Sequence, residues 1–466
     1  MSTAADFLGR QRHAFLHDGP PSLEERRADL KALRKVVTSY RSKIEQAVDA
    51  DFGGRSPNET ALLDIVGVIQ AIDYLDRNLK RFMKPEPRHV GALSQCGRAW
   101  VEYQPLGVIG ILSPWNYPFL LAMVPLATAL AAGNRAMLKP SELAPETSAL
   151  MKAMLAEAFP EDKVAVVLGD AGVGAEFSGL PFDHLFFTGS TQVGRLVMKA
   201  ASEHLVPVTL ELGGKSPTII LPGHVNAGTV ASIVFGKLTN AGQTCVAPDY
   251  VFVHETEFEA FIDAFDKAVA RSYPEGVVSR DYASIISDRH FSRLNGLLED
   301  AVSKGAIVRP VGGEAGAGTR IRVLPPTLVI NPSDDMAVMQ EEIFGPILPV
   351  LTYRDVSQVV AYINEKPRPL ALYVFADANS DDCKTILSRT TSGNVGINNT
   401  VLHVAQDDLP FGGIGPSGTG AYHGVEGFRR MSHAKGVFSR GRFSVPSLLR
   451  PPFGRMVKAG LDYLLR

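Results

Sequence analysis

The chain has 466 residues, 45% hydrophobic and 21% charged, which is ordinary globular composition and enough for a large core divided among roughly two to four domains. Lysine plus arginine (47) nearly balances aspartate plus glutamate (49), so no global field draws the protein to nucleic acid or anionic lipid. Cys96, Cys245 and Cys383 lie far apart, outside any CxxC or Cys/His cluster. That spacing excludes a disulfide framework, gives no metal site, and points to a reducing, cytoplasmic setting.

The N-terminus has no continuous apolar stretch of the kind a secretory signal needs, and is expected to be disordered up to Pro20-Pro21. Ser22 and Glu25 then form a capping box. Leu23, Leu30, Leu33, Val37, Tyr40, Ile44 and Val48 recur at helical spacing, predicting one long helix that ends at Gly53-Gly54. A second helix runs from about Glu59 to Phe82 and closes at Pro85. Val101-Glu102-Tyr103 reads as an arm pairing away from the strands that follow.

After Pro105 the pattern changes. Strands are predicted at 107–112, 135–138, 163–168, 184–187 and 206–211, with helices between them. The apolar run 118–133 contains Pro125 and falls short of the ~20 residues of a membrane span, so it reads as a buried helix. The alternation resumes with a strand at 217–221, a helix at 225–238, a strand at 250–253 and a helix from Glu257. Strands alternating with helices imply βαβ units, hence an α/β protein whose parallel sheets are covered on both faces, in two successive layers. From Arg440 onward, Arg442, Arg450, Arg455, Lys458 and Arg466 face only Asp462 and interleave with Leu448, Leu449, Phe453, Leu461, Leu464 and Leu465. Such a basic amphipathic tail is expected to dock on the protein's own surface or a partner subunit, with a membrane surface as the alternative.

Ligands of parallel sheets collect beyond the carboxyl ends of the strands, and three segments fall there. In PWNYP (114–118) two prolines confine Asn116, whose amide either donates to a developing oxyanion or bonds its own turn. In LKPSE (138–142) Lys139 and Glu142 either hold a ribose diol or are a solvated lysine and an early-helix acid. FTGSTQVG (187–194) is a GxxxxG turn without the Lys-Ser/Thr of a P-loop; Gly189 and Ser190 at a helix N-terminus can still take a phosphate through backbone N–H groups. Glu211 ends an apolar strand before Gly213-Gly214, where partial desolvation raises its pKa toward that of a general base. Cys245, in NAGQTC (240–245), is either a nucleophile activated by a nearby charge or base, or a small buried hydrophobe like Cys96 and Cys383.

Taken together and in this order, PWNYP, LKPSE, FTGSTQVG, LELGGKSP (210–217), NAGQTC, EEIFGP (341–346) and LPFGGIGPSGTG (409–420) resemble the NAD(P)-dependent aldehyde dehydrogenase superfamily, over about residues 22 to 440. The short N-terminus and the ending QDDLPFGGIGPSG…YHG…GFRRMSHAKGVF are similar to its class 3-type branch, and within that to the bacterial coniferyl aldehyde dehydrogenases.

The resemblance implies a Rossmann-type cofactor domain (1–84 and 106–211), a second α/β catalytic domain (212–410), a small β oligomerisation arm (85–105 and 411–445) and a C-terminal tail (446–466). It also implies that Cys245 attacks the aldehyde, that Asn116 and the Cys245 N–H hold the resulting alkoxide, and that Glu211 activates the hydrolytic water. A free acid is then the product rather than a coenzyme A ester. Lys139 and Glu142 would hold the adenosine ribose, Gly189, Ser190, Gly194 and Leu212 would surround the pyrophosphate and its helix, and Glu342 would hold the nicotinamide ribose with Phe344 beside the ring. Tyr117, Thr244, Asn399, Thr400, Leu402 and His403 would line the substrate tunnel, and the glycines of 412–424 would make tight turns at its mouth and at a subunit contact. The expected cofactor is NAD, with NADP as the alternative, because Glu142 repels a 2′-phosphate. The expected substrate is an aromatic aldehyde such as coniferyl aldehyde, with a medium- or long-chain aliphatic aldehyde second. The expected assembly is a homodimer without metal or nucleic acid. Competing classes are a non-catalytic binding protein on the same fold and a cofactor-independent thiol esterase.

Overall fold

The structure, a computed structural model, describes residues 3–91, 97–313, 320–441 and 451–465. Three sheets organise it. The first has the spatial order Gly418–Thr419, Val208–Glu211, His184–Thr188, Val108–Leu112, Arg135–Lys139, Val164–Val166. All pairs are parallel except the first, where Gly418 and Thr419 run antiparallel to Glu211 and Leu210. Every residue of Val108–Leu112, His184–Thr188 and Val208–Glu211 is buried, as expected for strands covered on both faces. The chain starts at the central strand, builds outward to one side and then to the other. The switch point therefore lies between Val108–Leu112 and His184–Thr188, where α/β sheets bind ligands.

The second sheet is ordered Ile307–Pro310, Thr327–Ile330, Ile347–Tyr353, Tyr250–His254, Pro217–Ile220, Ala371–Phe375, Asn394–Ile397, parallel except for its first pair. The third is a three-stranded antiparallel arm in which Arg98–Pro105 pairs with Glu86–Arg88 on one side and with Ser432–Ser439 on the other. The strand read at Val101–Tyr103 thus pairs away from the parallel sheets. One apolar core runs through the junction: Leu30, Val68, Ile111 and Phe186 from the first half join Val246, Ile286 and Tyr373 from the second.

Three expectations are corrected. The N-terminal stretch is a helix, Ala4–Asp18, opened by a capping box of Thr3 and Asp6. It is tied down by Leu8 in the core and by Gln11, whose Nε2 donates to Ala136 O and Glu161 O at 3.0 Å each. The single helix from Ser22 is two, Leu23–Ser39 and Arg41–Phe52, hinged at Tyr40. Tyr40 leaves the helical region (φ −95°, ψ 2°), and its hydroxyl bonds Glu157. Both helices bury their stripe in the same core, so the apolar periodicity runs on across a break it cannot reveal. Lastly, Arg455–Leu464 is a helix with no buried residue, so of the two docking places expected for the tail, the protein's own surface and a partner subunit, the first is not seen among the described residues.

Cys96, Arg442, Leu448, Leu449, Arg450 and Arg466 lie outside the described residues. Cys383 is buried in the second core, as a packing residue. The apolar run at 118–133 is the buried helix Leu120–Ala131, and no described helix is long and apolar enough to cross a membrane.

Candidate active site

The expected site segments meet between the two parallel sheets. PWNYP, LKPSE and FTGSTQVG follow the strands Val108–Leu112, Arg135–Lys139 and His184–Thr188, and Glu211 closes Val208–Glu211, all at carboxyl ends. The second sheet contributes from the opposite edge: LELGGKSP, NAGQTC and EEIFGP precede Pro217–Ile220, Tyr250–His254 and Ile347–Tyr353, at amino ends.

The loop before Cys245 has a forced backbone. Asn240, Ala241 and Gly242 are consecutively left-handed, with φ of 51°, 49° and 75°. A non-glycine residue there costs of order 1–2 kcal/mol, so the surroundings must hold it. They do: Asn240 Nδ2 donates to Asn116 O (2.9 Å) and Gln243 O (3.2 Å). Gln243 Nε2 donates to Asn240 O (2.9 Å) and Ser284 O (3.1 Å), while its Oε1 accepts from Ile286 N–H (3.0 Å). Only glycine fits at 242, where a Cβ would lie 2.3 Å from Gly345 O. The Asn116 amide donates to Gln243 O at 3.1 Å, two residues before Cys245. One N–H of that amide is spent on holding the loop, which leaves its second for a ligand. Cys245 is half-buried and free, and the N–H groups of Cys245 and Val246 are close enough to favour its ionised form.

The acids here are short of partners. Glu211 is 3% exposed, and neither carboxylate oxygen has a hydrogen bond among the described residues. Burial raises its pKa well above that of an ordinary glutamate, the direction a general base for water requires. Glu342 Oε1 is likewise buried without a partner, and burial, then the charge of Asp249, pushes Glu342 up to about 8. Burial, then the charges of Glu342 and Glu211, pushes the Cys245 thiol up to about 12. Both acids are therefore within electrostatic reach of the sulfur, which is not thiolate unless a positive charge arrives or a proton leaves to a base.

The cofactor side fits a dinucleotide. Lys139 Nζ lies 3.2 Å from Glu142 Oε2, a donor and acceptor presented together at a strand end. Ser190 caps the helix Thr191–Ser202, accepting from Val193 N–H, so the N–H groups of Thr191 and Gln192 face outward. Gly189 does not share in this, since its N–H donates to Glu211 O at 3.0 Å; the expectation of a phosphate contact there is corrected to a strand-end bond. Gly194 allows close packing, because a Cβ would meet Leu212 Cδ2 at 2.7 Å, and Leu212 is itself fixed to Ser417 O. The Glu342 carboxylate lies where a side chain on Gly213 would be, so that glycine makes its room. Phe344 is left-handed (φ 52°) and packs edge-on against Trp115. Among the described residues no group of three or more His, Cys, Asp or Glu can hold a metal ion.

An apolar pocket opens onto Cys245, walled by Leu62, Tyr117, Val124, Phe235, Phe411 and Tyr422. Of the expected tunnel residues, Tyr117, Thr244 and Leu402 line it, with the Tyr117 hydroxyl 2.8 Å from Thr244 Oγ1. Asn399, Thr400 and His403 do not. Asn399 Nδ2 turns to Ile397 O, Thr400 bonds Ser232, and His403 packs between Tyr373 and Phe411 with both ring nitrogens unpartnered. His423, across Phe411, takes the place at the wall. Burial holds both histidines at about 4, neutral and therefore compatible with an apolar wall. The glycines after Phe411 admit backbone to backbone: a Cβ on Gly418 would lie 2.4 Å from Leu210 O, beside Glu211. They buttress that strand.

Sequence reasoning missed Arg55 and Asp64, buried against PWNYP, and Glu59, partly buried beside them; the signal was a charged i,i+4 pair directly after Gly53-Gly54. It also passed over Asn240 and Gln243, although both stand in the quoted stretch.

A model described as the aldehyde dehydrogenase family matches residues 14–437. A protein of Pseudomonas aeruginosa named "Probable coniferyl aldehyde dehydrogenase" is 49% identical, over 97% of this chain and 94% of that one. The "Coniferyl aldehyde dehydrogenase" of a Pseudomonas species is 46% identical, over 98% and 95%. Among solved structures, the substrate-bound AldH of Staphylococcus aureus superposes with TM-score 0.93 at 34% identity, covering both chains fully. An NAD+ complex of a Mycobacterium tuberculosis aldehyde dehydrogenase gives 0.85 at 29%, covering 95% of this chain and 92% of that one. With the switch-point sheet, the strained cysteine loop and the unpartnered acids in one cleft, the chain belongs to the aldehyde dehydrogenase family.

Proposed function

We propose that this enzyme oxidises an aromatic aldehyde of the phenylpropenal type, such as coniferyl aldehyde, to the free carboxylic acid with NAD. The carrying observation is the apolar pocket at Cys245, whose walls include the rings of Tyr117, Phe235, Phe411 and Tyr422. Flat aromatic substrates pack edge-on or offset against such rings. The two Pseudomonas relatives are named for the same substrate.

In this reading Cys245 adds to the aldehyde carbon, its S–H proton passing to base, and forms a thiohemiacetal alkoxide. The alkoxide accepts from the second Asn116 N–H and from the Cys245 N–H, preorganised donors each worth about 10²–10³ in rate. Bound NAD supplies a hydride acceptor, and its positive ring supplies the charge that favours the thiolate. Cys245 then carries a thioester. The Glu211 carboxylate, desolvated and unpartnered, takes a proton from water as the oxygen attacks the thioester carbon, and the sulfur leaves with the acid released. Lys139, Glu142 and Glu342 hold the cofactor's ribose hydroxyls, Ser190 with the helix behind it holds the pyrophosphate, and Phe344 flanks the ring. The carboxylate of Glu142 favours NAD over NADP.

We assign 1–84 and 106–211 to cofactor binding, 212–410 to catalysis, 85–105 and 411–445 to a homodimer contact through the open edge of Ser432–Ser439, and 446–466 to the tail. The setting is cytoplasmic, in keeping with the free Cys245 and Cys383.

The test is kcat/KM with NAD and with NADP for coniferyl aldehyde, cinnamaldehyde, benzaldehyde, octanal and hexadecanal. Arylpropenals are expected to lead by at least tenfold, with NAD ahead of NADP. A tenfold lead for the alkanals overturns the substrate assignment and leaves the chemistry standing. Light scattering at working concentration checks the dimer.

A further inference from the structure

Arg55 is fully buried and bonds the site without lining its pocket. Its Nη1 donates to Asn116 O (3.0 Å) and its Nη2 to Asp64 Oδ2 (3.0 Å), and Nε lies 3.3 Å from Glu59 Oε1. The guanidinium also stacks over the rings of Tyr117 (4.7 Å) and Phe52 (5.1 Å). Each carboxylate carries the linkage further. Glu59 Oε1 accepts the N–H of Asn240 (2.9 Å), inside the strained nucleophile loop, and Asp64 Oδ1 accepts the N–H of Leu120 (3.0 Å), at the start of the helix after PWNYP. One cation therefore joins the Asn116 turn, the Asn240 loop and the helix Leu120–Ala131. Asp64 reaches the cluster from a π-turn, Ala61–Ile65, that also sets Leu62 and Leu63 in the pocket wall. Such insertions mark functional sites more often than plain helix does.

Stability alone is a weak reason for this arrangement. A buried ion pair returns little over an apolar replacement of equal volume, since desolvation offsets the attraction. What an apolar residue cannot supply is a planar fork that fixes two segments at defined angles.

We propose that Arg55 is a positioning residue for oxyanion stabilisation: it fixes the main chain of Asn116 against the nucleophile loop, so that the Asn116 amide meets the alkoxide formed at Cys245. The proposal rests on the assignment of Cys245 and Asn116 as nucleophile and oxyanion donor. Arg55 touches no reacting atom; its effect on the alkoxide passes through Asn116, while its links through Glu59 and Asp64 brace the backbone on either side. Its loss is then felt in the rate of thiohemiacetal formation and hydride transfer, and not in cofactor or aldehyde binding.

The experiment is a double-mutant cycle on the full chain, with Arg55→Lys and Asp64→Asn each made in the parent and in Asn116→Ala. The readouts are the rate of the first-turnover NADH burst, the aldehyde KM, the rate of iodoacetamide alkylation of Cys245 without cofactor, and Tm. Arg55→Lys is expected to slow the burst about tenfold, leave KM within twofold and alkylation unchanged, and add nothing in the Asn116→Ala background. Asp64→Asn, the milder change should Arg55→Lys fail to fold, is expected to slow the burst about threefold in the parent and not at all in Asn116→Ala. Equal slowing in both backgrounds, or a parent-like burst in both variants, overturns the proposal. An Asn116→Ala enzyme with a parent-like burst overturns instead the role of Asn116 on which it stands.

Discussion

Two buried polar clusters flank the Asn116 turn, and they are built on opposite rules. In the first, both carboxylates are partnered: Glu59 and Asp64 pair with Arg55 and accept N–H groups from Asn240 and Leu120, although Arg55 Nε, 3.3 Å from Glu59, makes no hydrogen bond among the described residues. In the second, both oxygens of Glu211 and one of Glu342 are buried with nothing among the described residues to accept from, beside a thiol held far from ionisation. Partnered groups stay fixed and hold the backbone. Unpartnered groups are held at a cost of roughly 1–3 kcal/mol each, a cost the partnered scaffold must offset. Around Cys245, the acids proposed for the chemistry are the ones left incomplete.

The contrast breaks first, and hardest, at the sulfur. Cys245→Ala is expected to lower turnover by about 10⁴ or more while NAD binding, read by fluorescence titration, stays within twofold. Glu211→Gln comes next: steady-state kcat falls about 10²–10³, but one NADH per site still forms in the first turnover, because this reading gives Glu211 the hydrolytic water alone and not the thiol proton. Loss of that burst would move Glu211 to the earlier step. The thiol offers a pH test. With the Cys245 thiol pushed up to about 12 by burial and then by two nearby acids, its alkylation rate should rise about tenfold per pH unit from 7 to 10 without levelling. Added NAD should accelerate the reaction at pH 7; a plateau near pH 8 in the free protein would mean the sulfur is better stabilised than its surroundings indicate.

The smallest effect concerns stability. A carboxyl whose folded pKa is raised loses ground once the unfolded chain ionises, above the ordinary glutamate value of about 4.3. Glu211→Gln removes that penalty, so its Tm should exceed the parent's at pH 8 and match it at pH 4. Burial raises Asp64 as well, so titration alone does not separate the clusters; Asp64→Asn should lower Tm at pH 8 because it takes the anionic partner from the buried Arg55 Nη2.

Much of this was legible in the chain. Strands 107–112, 135–138 and 184–187 and the helices between them are local patterns of apolar runs bounded by turns, and each lies within about two residues of its place in the sheets. Asn116, Glu211 and Cys245 could be picked out because proline, strand end and glycine confine each of them locally. The break at Tyr40 was not legible, since two helices that bury one stripe in one core repeat as a single helix does. Nor were the tunnel positions: His403 lies between Leu402 and Val404, which line the pocket, and Asn399 lies two residues before Val401, so the turn of the backbone decides which side chain faces in. The N–H of Gly189 looked free for a phosphate until the neighbouring strand supplied Glu211 O.

Sequence by itself determined the α/β alternation and the family, and it singled out the residues proposed as nucleophile, base and oxyanion donor, because these depend on residue type and on spacing within a few positions. Tertiary structure decided which of them are left without partners, and it revealed Arg55, which lies 61 positions from Asn116 along the chain and 3.0 Å from it in space. Hydrogen-bond satisfaction and desolvation are properties of what surrounds a group, and most of those surroundings come from distant parts of the chain.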